Sequence, residues 1–246
     1  MVGKVPDASF AHPRLAPIYD AFENERADLA TYLDIADELH ADHVLDIGCG
    51  TGSLAVLLAE GGRTVVGVDP AQASLDVAKS KSGAAEVTWL HGDATIVPRL
   101  GVDLAVMTGN VAQVFLADGD WARTLQAIHA ALRPNGFLVF ETRRPERRAW
   151  EEWATDTRPV VLDVPGIGAV EQRMEVTDVS LPLVSFSHTY RFLTDGTVLR
   201  SDSTLRFRDR DELESSLLTH GYRVLDVRDA PDRPGREFIF ITARID

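Results

Sequence analysis

A glycine loop at residues 48–52 is the part of this sequence best suited to ligand chemistry. It follows the short run 44–47, which predicts a buried strand, and it precedes a predicted helix over 53–60. Glycine has no Cβ, so a ligand can lie directly against the backbone here. Asp46 lies at the strand end beside the loop. Its charge would repel a pyrophosphate and attract an ammonium or sulfonium group.

The spacing of the glycines helps to identify the kind of ligand. A dinucleotide-binding fingerprint, Gly-x-Gly-x-x-Gly/Ala, would require glycine or alanine at position 53, where this chain has Ser53. The third glycine of the loop is instead Gly52. An NAD(P)-dependent oxidoreductase remains an alternative, because Asp69, which ends the next predicted strand, would hold a ribose in that class as well.

Two further acidic residues end predicted strands. The run 64–68 leads into Asp69, about 20 residues beyond the glycines. The run 87–91 leads through a glycine into Asp93 and Ala94. In open α/β sheets, ligands bind outside the carboxyl ends of the strands. The three strand ends therefore predict one shared ligand site, although coincidental strand-to-helix turns would produce a similar pattern.

The chain resembles the class I S-adenosylmethionine-dependent methyltransferases, small-molecule type, in the run Asp46-Ile47-Gly48-Cys49-Gly50-Thr51-Gly52 followed by Asp69 and Asp93. The resemblance implies an α/β fold with a doubly wound, Rossmann-like, mostly parallel seven-stranded sheet. It also implies that S-adenosylmethionine is the cofactor, that Asp69 holds the ribose hydroxyls and that Asp93 lies near the adenine. The residues expected to bind the cofactor are Tyr19, Asp46, Gly48, Cys49, Gly50, Asp69, Pro70, Asp93, Ala94 and Asn110.

Predicted strands and helices alternate as far as residue 142, which is typical of a parallel sheet covered on both faces. Pro70 is expected at the first position of the second helix in this series. A later helix is predicted over 121–132, followed by a turn at 134–136 and the fifth strand over 137–142.

The pattern changes after the fifth strand. Residues from about 159 to 207 alternate without a helical period, and Asp195-Gly196 marks a hairpin turn. We therefore expect an antiparallel sheet inserted after strand five. In the resembled family, such an insertion often serves as a substrate lid or a dimer surface.

After the inserted sheet, the pattern of the central α/β domain continues with a predicted helix. Asp209 and Glu212 resemble a capping box, in which Asp209 caps the helix and Glu212 reaches back. A closing antiparallel strand pair follows. We predict a methyltransferase domain that binds the cofactor, formed by 1–142 and 208–246, and an inserted lid or antiparallel sheet sub-domain over 143–207.

The segment before the glycine loop contains one amphipathic helix, predicted over 24–39. The preceding segment 16–22 is interpreted as too short and too punctuated to form a stable element. It contains Tyr19, for which two roles remain open. In many small-molecule methyltransferases a similar Tyr-Asp segment folds over the cofactor, whereas Tyr19 would otherwise pack under the helix.

Methyl transfer from a sulfonium is an in-line displacement, which requires positioning rather than a protein nucleophile or a metal. A base is needed only when the acceptor is a protonated amine or an unactivated hydroxyl. The catalytic residues stay unassigned, with two candidates. Asn110 follows the predicted fourth strand, residues 102–107, at the edge that faces the methyl group in the resembled fold. His188 lies on the aromatic face of a predicted strand, where a core role is favoured over that of a base.

Four arginines follow strand five, at positions 143, 144, 147 and 148. Paired arginines suit a carboxylate or a phosphate. The pairs Arg147–Glu151 and Arg148–Glu152, however, have helical four-residue spacing, which favours a solvated, charged helix.

Composition narrows the class of partner. The chain has 246 residues and a formal net charge of −13, which argues against nucleic acid and favours a small-molecule acceptor. The single cysteine, Cys49, excludes an internal disulfide and favours a reducing, cytoplasmic location. No run of about 18 apolar residues predicts a membrane span, and no metal-ligand spacing is present. A homodimer through the inserted sheet and a non-catalytic, cofactor-binding role are both left open.

Overall fold

The computed structural model describes residues 5–23 and 26–245. These residues form eleven strands: β1 (His43–Ile47), β2 (Thr64–Asp69), β3 (Val87–His91), β4 (Val102–Met107), β5 (Leu132–Arg143), β6 (Val160–Val164), β7 (Gly168–Ser180), β8 (Leu183–Phe192), β9 (Val198–Arg206), β10 (Tyr222–Asp229) and β11 (Glu237–Arg244).

The same residues form eight α-helices: α1 (Ala8–Ala11), α2 (Ala16–Phe22), α3 (Asp28–Glu38), α4 (Ser53–Glu60), α5 (Gln72–Ser80), α6 (Asp118–Ala131), α7 (Ala149–Thr155) and α8 (Arg210–Thr219). Short 3₁₀ turns lie at Ala84–Glu86, Ala94–Ile96, Val111–Val114 and Pro145–Arg147. None of the helices in this described part of the chain is long and apolar enough to cross a membrane.

Seven strands form the central sheet in the order β10-β11-β5-β4-β1-β2-β3. The first five strands of the chain pair in parallel, whereas β11 is antiparallel to both β5 and β10. The predicted α/β fold is therefore confirmed. The strand order changes direction between β1 and β4, and a crevice opens at the carboxyl ends of the strands at such a point.

Both faces of the central sheet are buried. Successive side chains of a strand point to opposite faces, so each strand contributes to both cores. Val44 and Val106 belong to the core formed with α3 and α4. Leu45 and Met107 belong to the core formed with α6 and α8. This arrangement holds the ends of β1 and β4 firmly, so that the residues that follow them are placed on a rigid support.

The inserted region forms a second, four-stranded antiparallel sheet in the order β6-β7-β8-β9. This confirms the antiparallel insertion after strand five, and Gly196 turns the predicted hairpin with a φ of +73°. Tyr190 and Phe192 pack with Leu15 and Ile18 near α2. At the other end of β8, Val184 belongs to a cluster that includes α7.

The interpretation of segment 16–22 was wrong, because it folds as helix α2. Pro17 lies in its first turn, where a missing N–H is tolerated. Ile18 is fully buried, and the Phe22 ring lies 6.0 Å from that of Tyr190. Tertiary contacts with the inserted sheet therefore stabilise a helix that is too short to form alone.

Other element boundaries also differ from the predictions. Helix α3 begins at Asp28; residues 24 and 25, assigned to it from the sequence, lie outside the described residues. Pro70 precedes α5 rather than beginning it, because Ala71 is the N-cap. Helix α6 begins at Asp118 instead of residue 121.

The predicted turn at 134–136 is incorporated into the irregular first part of β5. The pairing with β4 shifts register between Val102 and Leu104, and Asn135 adopts a φ of +58°. Strand β5 therefore begins at Leu132, five residues before the predicted start.

Only half of the predicted capping box is present at α8. The Asp209 carboxylate accepts a hydrogen bond from the Glu212 backbone N–H at 2.8 Å, as predicted. The Glu212 carboxylate, however, pairs with Arg206 at 2.8 Å and Arg208 at 3.3 Å. The two guanidinium groups form ion pairs with this side chain instead of leaving it to cap the helix.

We expect Gly52→Ala to destabilise the protein. A Cβ at this position would lie 2.5 Å from Trp89 Cη2 and 2.8 Å from Ala78 Cβ, with a φ of +77°. The matched control is Gly62→Ala, which has a φ of +86° but nothing within 4 Å of the added Cβ. Both variants should lose about 1–2 kcal/mol for the left-handed backbone, and Gly52→Ala about 1–3 kcal/mol more for overpacking. Urea unfolding measures this difference, and equal losses would contradict the packing.

Candidate functional site

The glycine loop is attached to β2 by backbone hydrogen bonds. The N–H groups of Gly48 and Cys49 both donate to the Val68 carbonyl, at 2.8 and 3.2 Å. Gly48, Gly50 and Gly52 all have positive φ angles, which glycine adopts without a steric penalty. The sequence places glycine where this tight turn requires it.

The three loop glycines differ in the space beside them. A Cβ at Gly48 would meet the Val111 side chain at 2.6 Å, and one at Gly52 would meet Trp89. At Gly50, nothing lies within 4 Å of the added Cβ. The open space for a ligand therefore lies at Gly50, whereas the other two glycines allow the protein to pack against the loop.

Asp69, at the end of β2, is held by two backbone N–H groups. Its carboxylate accepts from Gly50 at 2.8 Å and from Ala71 at 2.7 Å. Burial raises the pKa of Asp69, and these two hydrogen bonds partly oppose the rise. A carboxylate offers about four acceptor positions, so the orientation of Asp69 is fixed while capacity for further donors remains.

Asp46, in β1, is 1% exposed, and its Oδ1 has no hydrogen-bond partner within the described residues. Burial raises the pKa of Asp46 to about 7; the nearby charge of Asp69 adds to this, and Arg26 opposes it. An unpartnered, buried carboxylate oxygen is costly and attracts a positively charged donor.

Asn110 follows β4 with a φ of +62° and is 4% exposed. Its Oδ1 also lacks a partner among residues 5–23 and 26–245. Strands β1 and β4 are neighbours, with Asp46 in register with Val106. The adjacent strands β1 and β4 therefore each lead to a buried acceptor oxygen that has no donor among the described residues.

Glu141, near the end of β5, holds Asn110 in place and was missed from the sequence. It is buried, and it accepts from the Asn110 backbone N–H at 3.0 Å and from the Tyr32 hydroxyl. Burial raises the pKa of Glu141, with a further contribution from Glu237. The signal that could have identified it is the one used for Asp69, an acid after an apolar strand.

Helix α2 is connected to the glycine loop through Asp20, which was not predicted. The Asp20 carboxylate accepts from the Thr51 hydroxyl at 2.5 Å and pairs with Lys81 at 2.7 Å. Tyr19 packs on the Phe10 ring at 5.0 Å, and burial raises its pKa. The helix that carries Tyr19 therefore lies against the loop, and direct binding of the cofactor by Tyr19 stays a prediction.

The three residues predicted to bind the cofactor just beyond β2 and β3 differ in their exposure to solvent. Asp93 is exposed, and its carboxylate accepts from the Thr95 N–H at 2.8 Å, which caps the turn that follows. Ala94 is part of the core, and Pro70 is exposed. Their contact with a cofactor remains a prediction.

Cys49 has a free, partly buried thiol. Burial raises its pKa, and the charge of Asp46 adds to this effect. Its Sγ would lie 3.0 Å from a Cβ at Gly67. These features agree with a small residue that fills the loop, and they give no sign of a reactive thiolate.

His188 lies in β8, apart from the strand ends. Its ring contacts those of Phe186 at 5.5 Å and Tyr190 at 6.1 Å, and burial lowers its pKa. It lines a cavity of about 310 Å³ beside Trp153, and none of the strand-end residues lines that cavity. The structure therefore does not bring His188 together with Asn110. No cluster suitable for a metal occurs in the described ranges 5–23 and 26–245.

The prediction of a solvated, charged helix after β5 is only partly right. Arg148 pairs with Glu151 at 2.8 Å, three residues away, whereas Glu152 pairs with Arg236 at 2.6 Å. The predicted pairs Arg147–Glu151 and Arg148–Glu152 are absent from the ion pairs of the described residues. Arg148 itself adopts a φ of +49° and precedes α7, so the helical spacing does not apply.

Arg143 and Arg144 point to different surroundings. Arg144 stacks over the Phe238 ring at 4.2 Å and pairs with Asp229 at 3.0 Å. Arg143 Nη1 donates to Gln113 at 3.3 Å, and its guanidinium lies 5.1 Å from the Trp153 ring. The cluster seen in the sequence is therefore divided among separate environments.

The crevice fits the cofactor that the sequence implies. Gly50 leaves open space, the Asp69 carboxylate is oriented and retains free acceptor positions, and Asp46 and Asn110 present unpartnered oxygens. S-adenosylmethionine carries hydroxyl and ammonium donors and a sulfonium charge, which match acceptors of this kind.

We expect Asp46→Asn to remove a pH-dependent destabilisation. Because the folded pKa of about 7 exceeds the unfolded value of 3.8, the folded state binds the proton more tightly. The wild-type free energy of unfolding should therefore fall, relative to the variant, as pH rises from about 4 to 7, by on the order of 2–4 kcal/mol. Urea unfolding at several pH values measures this difference.

Asp103→Asn is the control for that series. Desolvation is the largest single effect on the pKa of Asp103 and raises it, but the hydrogen bonds from Arg133 and from the backbone N–H groups of His43 and Asp42 together lower this pKa below its ordinary value. Its stabilisation should instead be lost as pH falls below the unfolded value. A pH-independent difference between wild type and Asp46→Asn would contradict the assigned burial of the charge.

Comparison with known proteins shows similarity to methyltransferases. Residues 44–136 match the family model described as a methyltransferase domain. An uncharacterized methyltransferase of Oceanobacillus iheyensis is 33% identical over 99 residues, which are 40% of this chain and 46% of that protein. A demethylmenaquinone methyltransferase of Thermus thermophilus is 35% identical over 111 residues, 44% of this chain and 50% of its own. The chain spans about half the length of these relatives.

Solved structures share the fold over nearly the whole chain. An S-adenosylmethionine-dependent methyltransferase from Clostridium acetobutylicum has a TM-score of 0.72 at 15% identity, covering 95% of this chain and 97% of that one. A sugar N-methyltransferase from Streptoalloteichus has a TM-score of 0.73 at 20% identity, with 93% of each chain covered. Residues 44–136 therefore resemble a methyltransferase domain, and the seven-stranded order is the fold of the S-adenosylmethionine-dependent methyltransferases of known structure.

Proposed function

We propose that this protein transfers a methyl group from S-adenosylmethionine to a small-molecule acceptor by in-line displacement. Two observations carry the proposal: Asp46 and Asn110 each bury an oxygen without a partner in the described residues, and Gly50, in the loop that follows β1, has open space beside it. Acceptor oxygens buried without donors are rare in folded proteins and require an explanation. A cationic ligand between β1 and β4 supplies one.

The residues that hold the cofactor have separate roles in this proposal. Asp69 accepts hydrogen bonds from the ribose hydroxyls, because its orientation is already set by Gly50 and Ala71. Asp46 and Asn110 accept from the ammonium group and favour positive charge. When bound, the cofactor supplies an electrophilic methyl carbon on a sulfonium.

The remaining residues of the site act by positioning the two reactants. Holding two reactants in line can lower the barrier by roughly 7–11 kcal/mol. Glu141 fixes the turn at Asn110, and Asp20 ties α2 to Thr51. The first interaction fixes the turn that follows β4, and the second holds α2 against the glycine loop.

The structural neighbours and the net charge of the chain indicate which acceptors to test. Two of the structural neighbours are an amino pentose methyltransferase and a sugar N-methyltransferase. The chain is strongly acidic, which disfavours a nucleic-acid acceptor. We therefore propose a small polar metabolite, and amino sugars are the first group of compounds to test.

Domain organisation and location follow as further parts of the proposal. Residues 143–207 form the lid over a catalytic domain made of 1–142 and 208–246; the packing of the second sheet on α2 and α7 supports this. A cytoplasmic location and a homodimer through the inserted sheet remain predictions.

We expect S-adenosylhomocysteine to raise the melting temperature, while NAD leaves it unchanged. Ligand at 100 times its Kd stabilises the folded state by about 2.7 kcal/mol, which corresponds to a shift of roughly 5–10 °C for a chain of this size. Differential scanning fluorimetry measures both ligands in parallel. A shift with NAD alone would favour an oxidoreductase, and a shift without labelled methyl transfer to any amino sugar or metabolite extract would favour a non-catalytic binder.

We expect Asp69→Asn to weaken binding of S-adenosylhomocysteine by about 1.5–3 kcal/mol, because a hydrogen bond to a charged acceptor is lost while the side-chain shape is retained. Calorimetry measures the affinity. Asp103→Asn is the matched control, since Asp103 also accepts from two backbone N–H groups, at 2.9 and 3.1 Å, but lies in the first half of β4. Equal affinities for the two variants would show that Asp69 does not bind the ribose.

A further inference from the structure

Beyond the strand-end crevice, a second cavity of about 440 Å³ lies where β5 ends, β11 begins and α7 passes. Its charged lining residues are Arg143, Arg147, Arg233, Arg236, Glu152 and Glu237. Four guanidinium groups face two carboxylates, which leaves a net charge of +2. The chain as a whole has a net charge of −13, so positive charge is concentrated here against the overall trend.

The carboxylates of the cavity do not neutralise all of its arginines. Arg233 pairs with Glu237 at 2.9 Å, and Arg236 pairs with Glu152 at 2.6 Å. Arg143 lies 3.6 Å from the Glu237 carboxylate that Arg233 already binds. Arg233 also pairs with Asp232 at 3.3 Å, so each of these three arginines has a carboxylate nearby, and the fourth, Arg147, has none among the described residues.

Arg147 has the least compensated charge. Its Nε donates to the Gly235 carbonyl at 2.6 Å, and it forms no ion pair within the described part of the chain. It is exposed, so its remaining N–H groups are accessible from the cavity. A guanidinium presents donors in a planar fork that matches a carboxylate or a phosphate.

The cavity begins next to the edge at which we place methyl transfer. Arg143 lies two residues beyond Glu141 in β5, on the same face and about 7 Å further along the strand. Both the backbone N–H and Nη1 of Arg143 approach Gln113 Oε1, at 3.4 and 3.3 Å. Gln113 belongs to the turn that Asn110 begins. One molecule can therefore extend from the strand-end crevice into the arginine-lined cavity.

We propose that this cavity binds an anionic group, a carboxylate or a phosphate, on the methyl acceptor. This inference rests on the proposed methyltransferase function. Arg147 and Arg143 form the anion site, and the Trp153 ring, stacked near the Arg143 guanidinium at 5.1 Å, restricts the movement of that side chain. The acceptor is held by its anionic end, and this leaves its nucleophilic atom at the edge near Asn110.

The neighbouring arginines provide a contrast. Arg144 and Arg148 come from the same stretch of sequence, but each pairs with its own carboxylate, Asp229 or Glu151, and neither lines the cavity. Arg148 is therefore a matched control for Arg147, adjacent in sequence and similarly exposed.

The test is isothermal calorimetry of the full chain with inorganic phosphate and with succinate, at constant ionic strength. We expect wild type to bind at least one of these probes, Arg147→Gln to bind it about tenfold more weakly, and Arg148→Gln to stay within about twofold of wild type. Arg147→Lys, which keeps the charge but loses the fork, should fall in between. Preference for phosphate indicates a phosphorylated acceptor, and preference for succinate indicates a carboxylic acid.

Absence of binding to wild type, or equal losses in the two glutamine variants, would overturn the inference. Affinity for S-adenosylhomocysteine, measured on the same samples, should be equal in all variants because the cavity lies apart from the glycine loop. If wild type fails to bind S-adenosylhomocysteine but still binds the anion through Arg147, the proposed function fails while the anion site stands.

Discussion

Carboxylates buried at the carboxyl ends of the central strands are the constraint on which the rest of the site depends. Asp46, Asp69 and Glu141 are each less than one-tenth exposed, and a charge removed from water is costly unless it is hydrogen-bonded or paired. Backbone N–H groups satisfy much of this requirement for Asp69 and part of it for Glu141. Asp46 keeps an oxygen without a partner in the described residues, so the fold retains an unfavourable charge that a cationic ligand would relieve.

The same hydrogen bonds organise the loops around the crevice. Asp69 holds the glycine loop, Glu141 holds the turn at Asn110, and Asp20 joins α2 to Thr51. Each contact joins a strand end or a helix to a neighbouring loop. The hydrogen bonds that compensate for the burial of Asp69 and Glu141 therefore also order the neighbouring loops before any ligand arrives.

Charge is distributed so that the two regions of the proposed site differ in sign. The crevice between β1 and β4 presents carboxylate and amide oxygens, whereas the cavity beyond β5 presents guanidinium groups. In the proposed complex, this separation orients both molecules, because the crevice repels the anionic group of the acceptor and the cavity repels the cationic cofactor. It also allows a strongly acidic chain to hold an anionic molecule, because local charge rather than net charge acts at short range.

The sequence alone determined the strand ends. Local patterns predicted the glycine loop, Asp69 and the antiparallel insertion, because side-chain periodicity and glycine conformations depend on near neighbours. Contacts between distant residues decided the rest. Helix α2 is stabilised by the inserted sheet, and Glu141 became part of the site only when β5 lay beside β4. Arg143 and Arg147 came to face Arg233 through the pairing of β5 with β11, which no local pattern records.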